Sequence, residues 1–201
     1  MPKGVPLSAE EREQVRHRIF QAATQLFLRQ GFHETSMRQI ARVVGMGKST
    51  LYDYFSNKED ILLFFVEQEM TVINKAASDI AAQDLNAPEK LRRMLQVQWA
   101  YVSTNQELAA LLTREVSRLG AEATRWVVQK RMEYRRILEQ IVQQGITEGT
   151  FRVVDPTLAA SALHSLITMP FYDWLRRRGG DTGELIADAL VDLFLHGILK
   201  R

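Results

Sequence analysis

Three times in its first sixty residues the chain sets a serine three positions ahead of a Glu or Gln, at the mouth of an apolar run. The segments are Ser8-Ala9-Glu10-Glu11, Ser36-Met37-Arg38-Gln39 and Ser56-Asn57-Lys58-Glu59. In such a box the serine oxygen and the acidic or amide side chain each satisfy an amide that a helix start leaves open, so the pattern marks where helices begin. Each is followed by apolar residues at helical spacing: Val15, Ile19, Ala22, Ala23, Leu26 and Phe27; then Met37, Ile40, Ala41 and Val44; then Ile61, Leu62, Phe65, Met70 and Ile73, running to about Gln83. Gly31 and Gly45 close the first two. Asn86-Ala87-Pro88-Glu89 opens a further helix with proline at its first position, Gly120 separates two more, and Gly149 ends a long one containing "RWVVQKRMEYRRILEQIVQQ". Asp155-Pro156 and Asp181-Thr182-Gly183-Glu184 open the last two. No stretch alternates as a strand would. The pattern predicts an all-α protein of about nine helices, with three short helices in residues 1–56 and a larger helical body in 57–201.

Composition removes several function classes. The 201 residues include no cysteine, so disulfides and thiolate metal sites are out, and His17, His33, His164 and His196 have no metal-ligand spacing. No cofactor or metal is expected, and no Ser/His/Asp constellation suggests an enzyme. No apolar run approaches a membrane span and the start "MPKGVPLSAEERE" lacks a signal peptide's apolar stretch, so no membrane partner and a cytoplasmic location are expected. Net charge is only +2, but it is unevenly spread. Residues 1–58 carry nine Lys/Arg against five Asp/Glu, whereas the rest carry seventeen against nineteen. A basic N-terminal unit on a mildly acidic body suggests that the first part meets a polyanion.

The segment "GMGKST" could be mistaken for a phosphate loop. A nucleotide loop needs a glycine five residues before Gly47, where this chain has Arg42, and it needs a preceding strand, where "MRQIARVV" is capped and spaced as a helix. A helix-turn-helix explains more of the residues. Ala41 is small where two helices cross, Gly45 can turn the chain with positive φ, and Met46 plugs the turn. Leu51 and Phe55 anchor the second helix, leaving Lys48, Ser49, Tyr52 and Asp53 on its outer side, toward a DNA groove.

With those residues in place, "TSMRQIARVVGMGKSTLYDYFSNKEDIL" (Thr35 to Leu62) resembles the DNA-binding signature of the TetR family of bacterial transcriptional regulators, and "LFLRQGF" extends the likeness upstream. The resemblance implies a ligand-responsive, sequence-specific DNA-binding regulator, a repressor acting as a homodimer on a palindromic double-stranded operator. It implies DNA contacts from Thr35, Ser36, Arg38, Gly47, Lys48, Ser49, Thr50, Tyr52, Tyr54 and Lys58. Thr35 and Ser36 would cap a helix and meet phosphate, and Tyr54 and Lys58 would clamp the backbone; packing is the competing role for Tyr54. Asp53 is unexpected beside phosphate.

The resemblance also implies that the body dimerises through its last two helices, from about Pro156 to Arg177 and from about Thr182 to Leu199. Leu185, Ala189, Leu193 and Ile198 with Ile186, Leu190 and Phe194 give the last helix a stripe wider than one protomer's core needs. A small apolar or amphipathic effector would sit in the body, and "RILEQIVQQGITEGTFRVVDPTLAA" is similar to family members that respond to an acyl-CoA thioester. Candidate contacts are Met94, Trp99, Glu115, Trp126, Arg131, Tyr134, His164, Phe171 and Trp174. Glu115 and Arg131 either form an internal pair or meet the ligand. Acyl-CoA responders often carry Asn-Trp where this chain has Met169-Pro170, and Pro170 predicts a kink in its helix.

Overall fold

The first capping box forms as its residues dictate: the Ser8 side chain accepts from the Glu11 amide at 3.1 Å, and Glu11 accepts from the Ser8 amide at 2.7 Å. The protein is seen here as a computed structural model that describes residues 7–116, 118–167, 189 and 192–197. Nine helices have defined bounds among the described residues: α1 (Ala9–Gln30), α2 (Met37–Val44), α3 (Lys48–Tyr52), α4 (Lys58–Ala81), α5 (Ala87–Thr104), α6 (Gln106–Val116), α7 (Ala121–Lys130), α8 (Met132–Thr147) and α9 (Pro156–Ile167). Residues 192–197 are helical as well. The all-α expectation is met. The chain divides into two compact units, Met1–Val66 and Glu67–Arg201, and α4 is one unbroken helix across that division.

Within the first unit, α1 packs on α2 and α2 on α3. Ile19, Ala23 and Phe27 of α1, Ile40 and Ala41 of α2 and Leu51 of α3 are all buried. Phenylalanines fill the space between them: Phe27 and Phe32 meet edge to face at 4.9 Å, and Phe55 and Phe64 at 5.6 Å. In the second unit α8 is the hub, packing on α5, α7 and α9. Its inward face (Tyr134, Ile137, Leu138, Ile141, Val142) recurs at three- and four-residue steps, the spacing of one helical stripe. Gly145 continues that stripe for a spatial reason. An added Cβ would lie 2.2 Å from the Phe151 ring, so only glycine lets the chain fold back over the helix end.

Buried Lys90 fastens the turn between α4 and α5. Its ammonium donates to the Ala81 carbonyl at 2.8 Å and to Gln144 Oε1 at 3.1 Å, completing the last turn of α4 and tying it to α8.

Three local expectations need correction. The third box does not form at Ser56 and Glu59. Asn57 Oδ1 accepts from the Asp60 amide at 2.7 Å, and Asp60 accepts from the Ser56 amide at 3.2 Å, so α4 starts one residue later than the box implied. Asn caps as well as Ser does, so the box residue next along the chain takes the role. Likewise α5 starts at Ala87, putting Pro88 at its second position, where a missing amide is equally harmless. Finally, the long helix through "RWVVQKRMEYRR" is two helices that meet at Arg131, with φ −85° and ψ −5°. Neither Gly nor Pro signals this break. At that residue the side chain reaches a charged partner on α4, Glu69, while the preceding Lys130 pairs with Glu67. The kink at Pro170 lies outside the described residues.

Candidate nucleic-acid interface and effector site

Gly45 builds the turn between α2 and α3. At φ 78° and ψ 32° it is in the left-handed region, its amide donates to the Arg42 carbonyl, and the Met46 amide donates to the Ala41 carbonyl at 3.0 Å. No atom lies within 4 Å of where its Cβ would be, so backbone conformation, not space, demands glycine there. Met46 is half-buried under the turn. Gly47 differs. It is the N-cap of α3 at φ −66°, a conformation open to any residue, and an added Cβ would find only ordinary contacts at 3.6 and 3.8 Å.

Leu51, fully buried, fixes which way α3 faces. Lys48, Ser49, Thr50 and Tyr52 are therefore exposed on its far side, and the Lys48 ammonium lies 5.6 Å from the Tyr52 ring centre. An open groove of about 450 Å³ gathers Thr35, Ser36, Arg38, Lys48, Tyr52 and Lys58 on its walls. Its charged lining is Arg38, Lys48 and Lys58 against Glu59 alone, a balance that suits an anion. Arg42 is exposed on α2 and Asp53 is exposed at the end of α3; neither lines the groove. Asp53 thus need not repel a backbone held there.

Three implied contacts take on other work. Thr35 was expected to share the cap with Ser36. Ser36 alone caps α2, while Thr35 is 2% exposed and donates its hydroxyl to the Gly31 carbonyl at 2.8 Å, closing the α1–α2 connection from inside. Tyr54 is half-buried with the Arg12 guanidinium 5.3 Å from its ring centre, and Arg12 also reaches the Asp53 carbonyl at 3.4 Å, so packing against α1 holds it. The Lys58 ammonium donates to the carbonyls of Phe32 (2.8 Å), His33 (3.1 Å) and Thr35 (3.1 Å) and lies 4.7 Å from the Phe32 ring centre. An ammonium has three hydrogens, and all three are engaged within the unit. His33, Ser56, Asn57 and Glu59 line the groove without having been singled out in the sequence; only folding of the α1–α2 connection against the start of α4 brings them there.

In the second unit the proposed Glu115–Arg131 pair does not form. Arg131 Nη2 bonds Glu69 Oε2 at 3.2 Å, and Glu115 (5% exposed) meets Arg118 at 3.5 Å on its own turn. Glu69 was missed, yet a signal existed: it is a carboxylate on the apolar stripe of α4, between Leu62 and Val66 on one side and Ile73 on the other. Burial raises the Glu69 pKa, and Arg131 partly opposes that through its charge and hydrogen bond. Tyr134 (1% exposed) and Tyr101 are pushed up by burial and then by the Glu69 charge, Tyr101 to about 12, so both keep their protons. His164 lies with its ring 5.7 Å from Tyr134. Burial, then Arg131 and Arg135, lower its pKa to about 4, so it is neutral near pH 7.

Of the other candidates, Met94 and Trp99 are buried on α5. Trp126 is half-buried with the Lys130 ammonium 5.2 Å from its ring centre, and Lys130 pairs with Glu67 at 3.2 Å, which puts it in a surface cluster. Phe171 and Trp174 lie outside the described residues. Among those described, no group of three or more His, Cys, Asp or Glu is placed to hold a metal, and no helix is long and apolar enough to cross a membrane.

Comparison with known families matches the helix-turn-helix and the helical body separately. The family described as "Bacterial regulatory proteins, tetR family" matches residues 19–63, and "Tetracyclin repressor-like, C-terminal domain" matches residues 84–198. The chain belongs to the TetR family. Its relatives include the uncharacterized HTH-type transcriptional regulator YhgD of Bacillus subtilis (strain 168), 29% identical over 180 residues that span 88% of this chain and 92% of YhgD. Among solved structures, FadR from Bacillus subtilis in complex with stearoyl-CoA superimposes with a TM-score of 0.79 at 23% identity, covering 90% of this chain and 98% of FadR. AibR in complex with isovaleryl coenzyme A and operator DNA gives a TM-score of 0.70 at 26% identity, covering 89% of this chain and 97% of AibR. This TetR-family chain is accordingly a DNA-binding transcriptional regulator.

Proposed function

We propose that this TetR-family chain is a cytoplasmic repressor, without catalytic activity, that leaves its operator when an apolar or amphipathic acyl thioester binds the C-terminal body. Residues 1–56 would hold the DNA and residues 57–201 would sense the effector and dimerise. The observation that carries the DNA reading is the outer face of α3. Leu51 locks the helix inward and leaves Lys48, Ser49, Thr50 and Tyr52 facing solvent beside Ser36 and Arg38. Lysine can reach guanine or phosphate, and Thr and Tyr can reach phosphate or a thymine methyl.

The last two helices supply support for the dimer. Leu158 is 69% exposed on α9 and Leu193 is 67% exposed in the helical segment 192–197, apolar surface that a partner chain would cover. A two-fold dimer reads a roughly palindromic site whose halves lie about one DNA turn apart. The acyl-thioester reading leans on AibR, which is bound to isovaleryl coenzyme A. An effector that prefers a conformation with altered spacing between the two α3 helices would shift the population off the operator, and the unbroken α4 is the element to carry that change.

Footprinting tests this directly. A discrete two-fold site should be protected near a promoter, and protection should fade as an acyl-CoA is titrated in. Even coverage of any duplex would assign the protein to DNA packaging instead.

A further inference from the structure

The interior of the second unit contains polar atoms that an apolar core would not tolerate. Gln98, on α5, is 1% exposed, and its Oε1 has no hydrogen-bond partner among the described residues. Tyr134, on α8, is 1% exposed, and its hydroxyl is in the same position. Arg131 gives Nη2 to Glu69, but its buried Nε is likewise unpartnered. Each such atom costs roughly 1–3 kcal/mol, and native interiors keep few of them.

Arg131 belongs to the Glu69–Arg131 pair, Tyr134 follows it on the next turn of α8, and Gln98 lies on α5, which packs on α8. The Glu69 carboxylate acts electrostatically on both Tyr134 and Tyr101, and Tyr101 is one turn from Gln98 on α5, a helix that packs on α8. Arg131 acts on His164, which faces Tyr134. Met94, one turn before Gln98, and Trp99, beside it in the chain, are buried on the same helix.

The open valences define a complement. Tyr134 O–H and Arg131 Nε–H donate, and Gln98 Oε1 accepts. The Glu69–Arg131 pair is neutral as a unit, and although Arg135 adds a charge that acts on His164, the Glu69 anion, buried and short of solvation, disfavours a second carboxylate beside it. We propose that Gln98, Tyr134 and Arg131 form the polar seat of the effector site, built to take an uncharged carbonyl with an N–H or O–H nearby and to reject a free carboxylate. The proposal rests on the effector reading above. It narrows the ligand to thioesters and amides of an acyl chain and excludes the free acid.

The test uses full-length protein and matched probes: lauroyl-CoA, N-lauroylethanolamine and lauric acid, with isovaleryl-CoA and isovalerate as a short-chain pair. Binding is followed by titration calorimetry, operator release by fluorescence anisotropy, and stability by melting of the ligand-free protein. The uncharged carbonyl compounds should bind at least about ten-fold more tightly than the acids of the same chain. Tyr134→Phe and Gln98→Leu should each weaken that binding about ten-fold or more, while the ligand-free melting temperature holds or rises because an unsatisfied atom has been removed. Two results overturn the seat but leave the effector reading intact. One is release of operator by the acids as readily as by the thioesters. The other is variants that melt earlier yet bind the probes unchanged, which would show the two groups to be satisfied internally. A protein that binds its operator specifically and is released by no probe removes the effector reading, and the seat with it.

Discussion

Lys58→Met is the most informative single change in the DNA-binding unit, because two roles for this lysine predict opposite results. The ammonium donates to three carbonyls of the α1–α2 connection. Hydrogen bonds from a charged donor contribute roughly 1.5–3 kcal/mol each when shielded, and the contact with His33 is exposed and counts for little. The two part-buried bonds and the Phe32 ring together give on the order of 3 kcal/mol, lowered to about two-thirds of that by water reaching a half-exposed side chain. Methionine keeps the apolar stem and removes only the charge. Urea unfolding of the variant should therefore show a loss of about 2 kcal/mol. Operator binding measured across a salt series should weaken with its slope unchanged, because no phosphate contact has been lost. A backbone clamp would behave otherwise: stability would hold, and the log–log salt slope would fall by about 0.9 for each lysine, or about two per dimer. Unchanged stability with a reduced slope would refute the role assigned to Lys58 here.

Other perturbations separate conformation from contact and charge from packing. Gly45→Ala forces a side chain into positive φ and should cost roughly 1–2 kcal/mol, whereas Gly47→Ala should leave stability unchanged or raise it by a few tenths while weakening operator binding, since its Cβ stands at the exposed end of α3; equal losses of stability would contradict this. Arg131→Met strands the Glu69 carboxylate and should cost about 3 kcal/mol near pH 7. Because burial raises the Glu69 pKa above its unfolded value, stability of that variant should recover relative to the parent protein as pH falls through the folded pKa, and a loss that stays constant on acidification would count against the pairing. For His164, lowered to about 4, the unfolded chain binds a proton that the folded chain refuses between about pH 6.5 and 4, so acidification through that window should remove up to roughly 3 kcal/mol. His164→Asn should abolish that component in unfolding experiments run across the same pH range.

The local rules carried the reading furthest where sequence neighbours do the work. Ser8, Ser36, Gly31 and Gly45 act on amides and carbonyls within a few residues, so their roles were visible in the chain itself. The inward placement of Leu51 and Phe55, and hence the outer face of α3, followed from helical spacing. What escaped detection depends on partners distant in sequence. Lys58 was read as a clamp on the DNA backbone because its acceptors, the carbonyls of Phe32, His33 and Thr35, meet it only once the α1–α2 connection folds back. Arg131 was matched with Glu115 because both sit on inward stripes, but periodicity gives a residue's face and not its neighbour, and Glu69 of α4 is the one that reaches it. The break at Arg131 left no trace in composition, with neither Gly nor Pro at the junction.

The orientation of α3 on DNA is the claim on which the rest depends, and the absence of cysteine from the chain makes it directly measurable. Ser49→Cys places a unique thiol on the exposed face of α3, where a photo-crosslinker can be attached. Bound to a footprinted operator, the labelled protein should crosslink to bases in two major-groove positions related by two-fold symmetry and about one helical turn apart. Absence of base crosslinks from that position, with the same label at exposed Thr71 of α4 reacting as well or better, would show that some other surface meets the DNA.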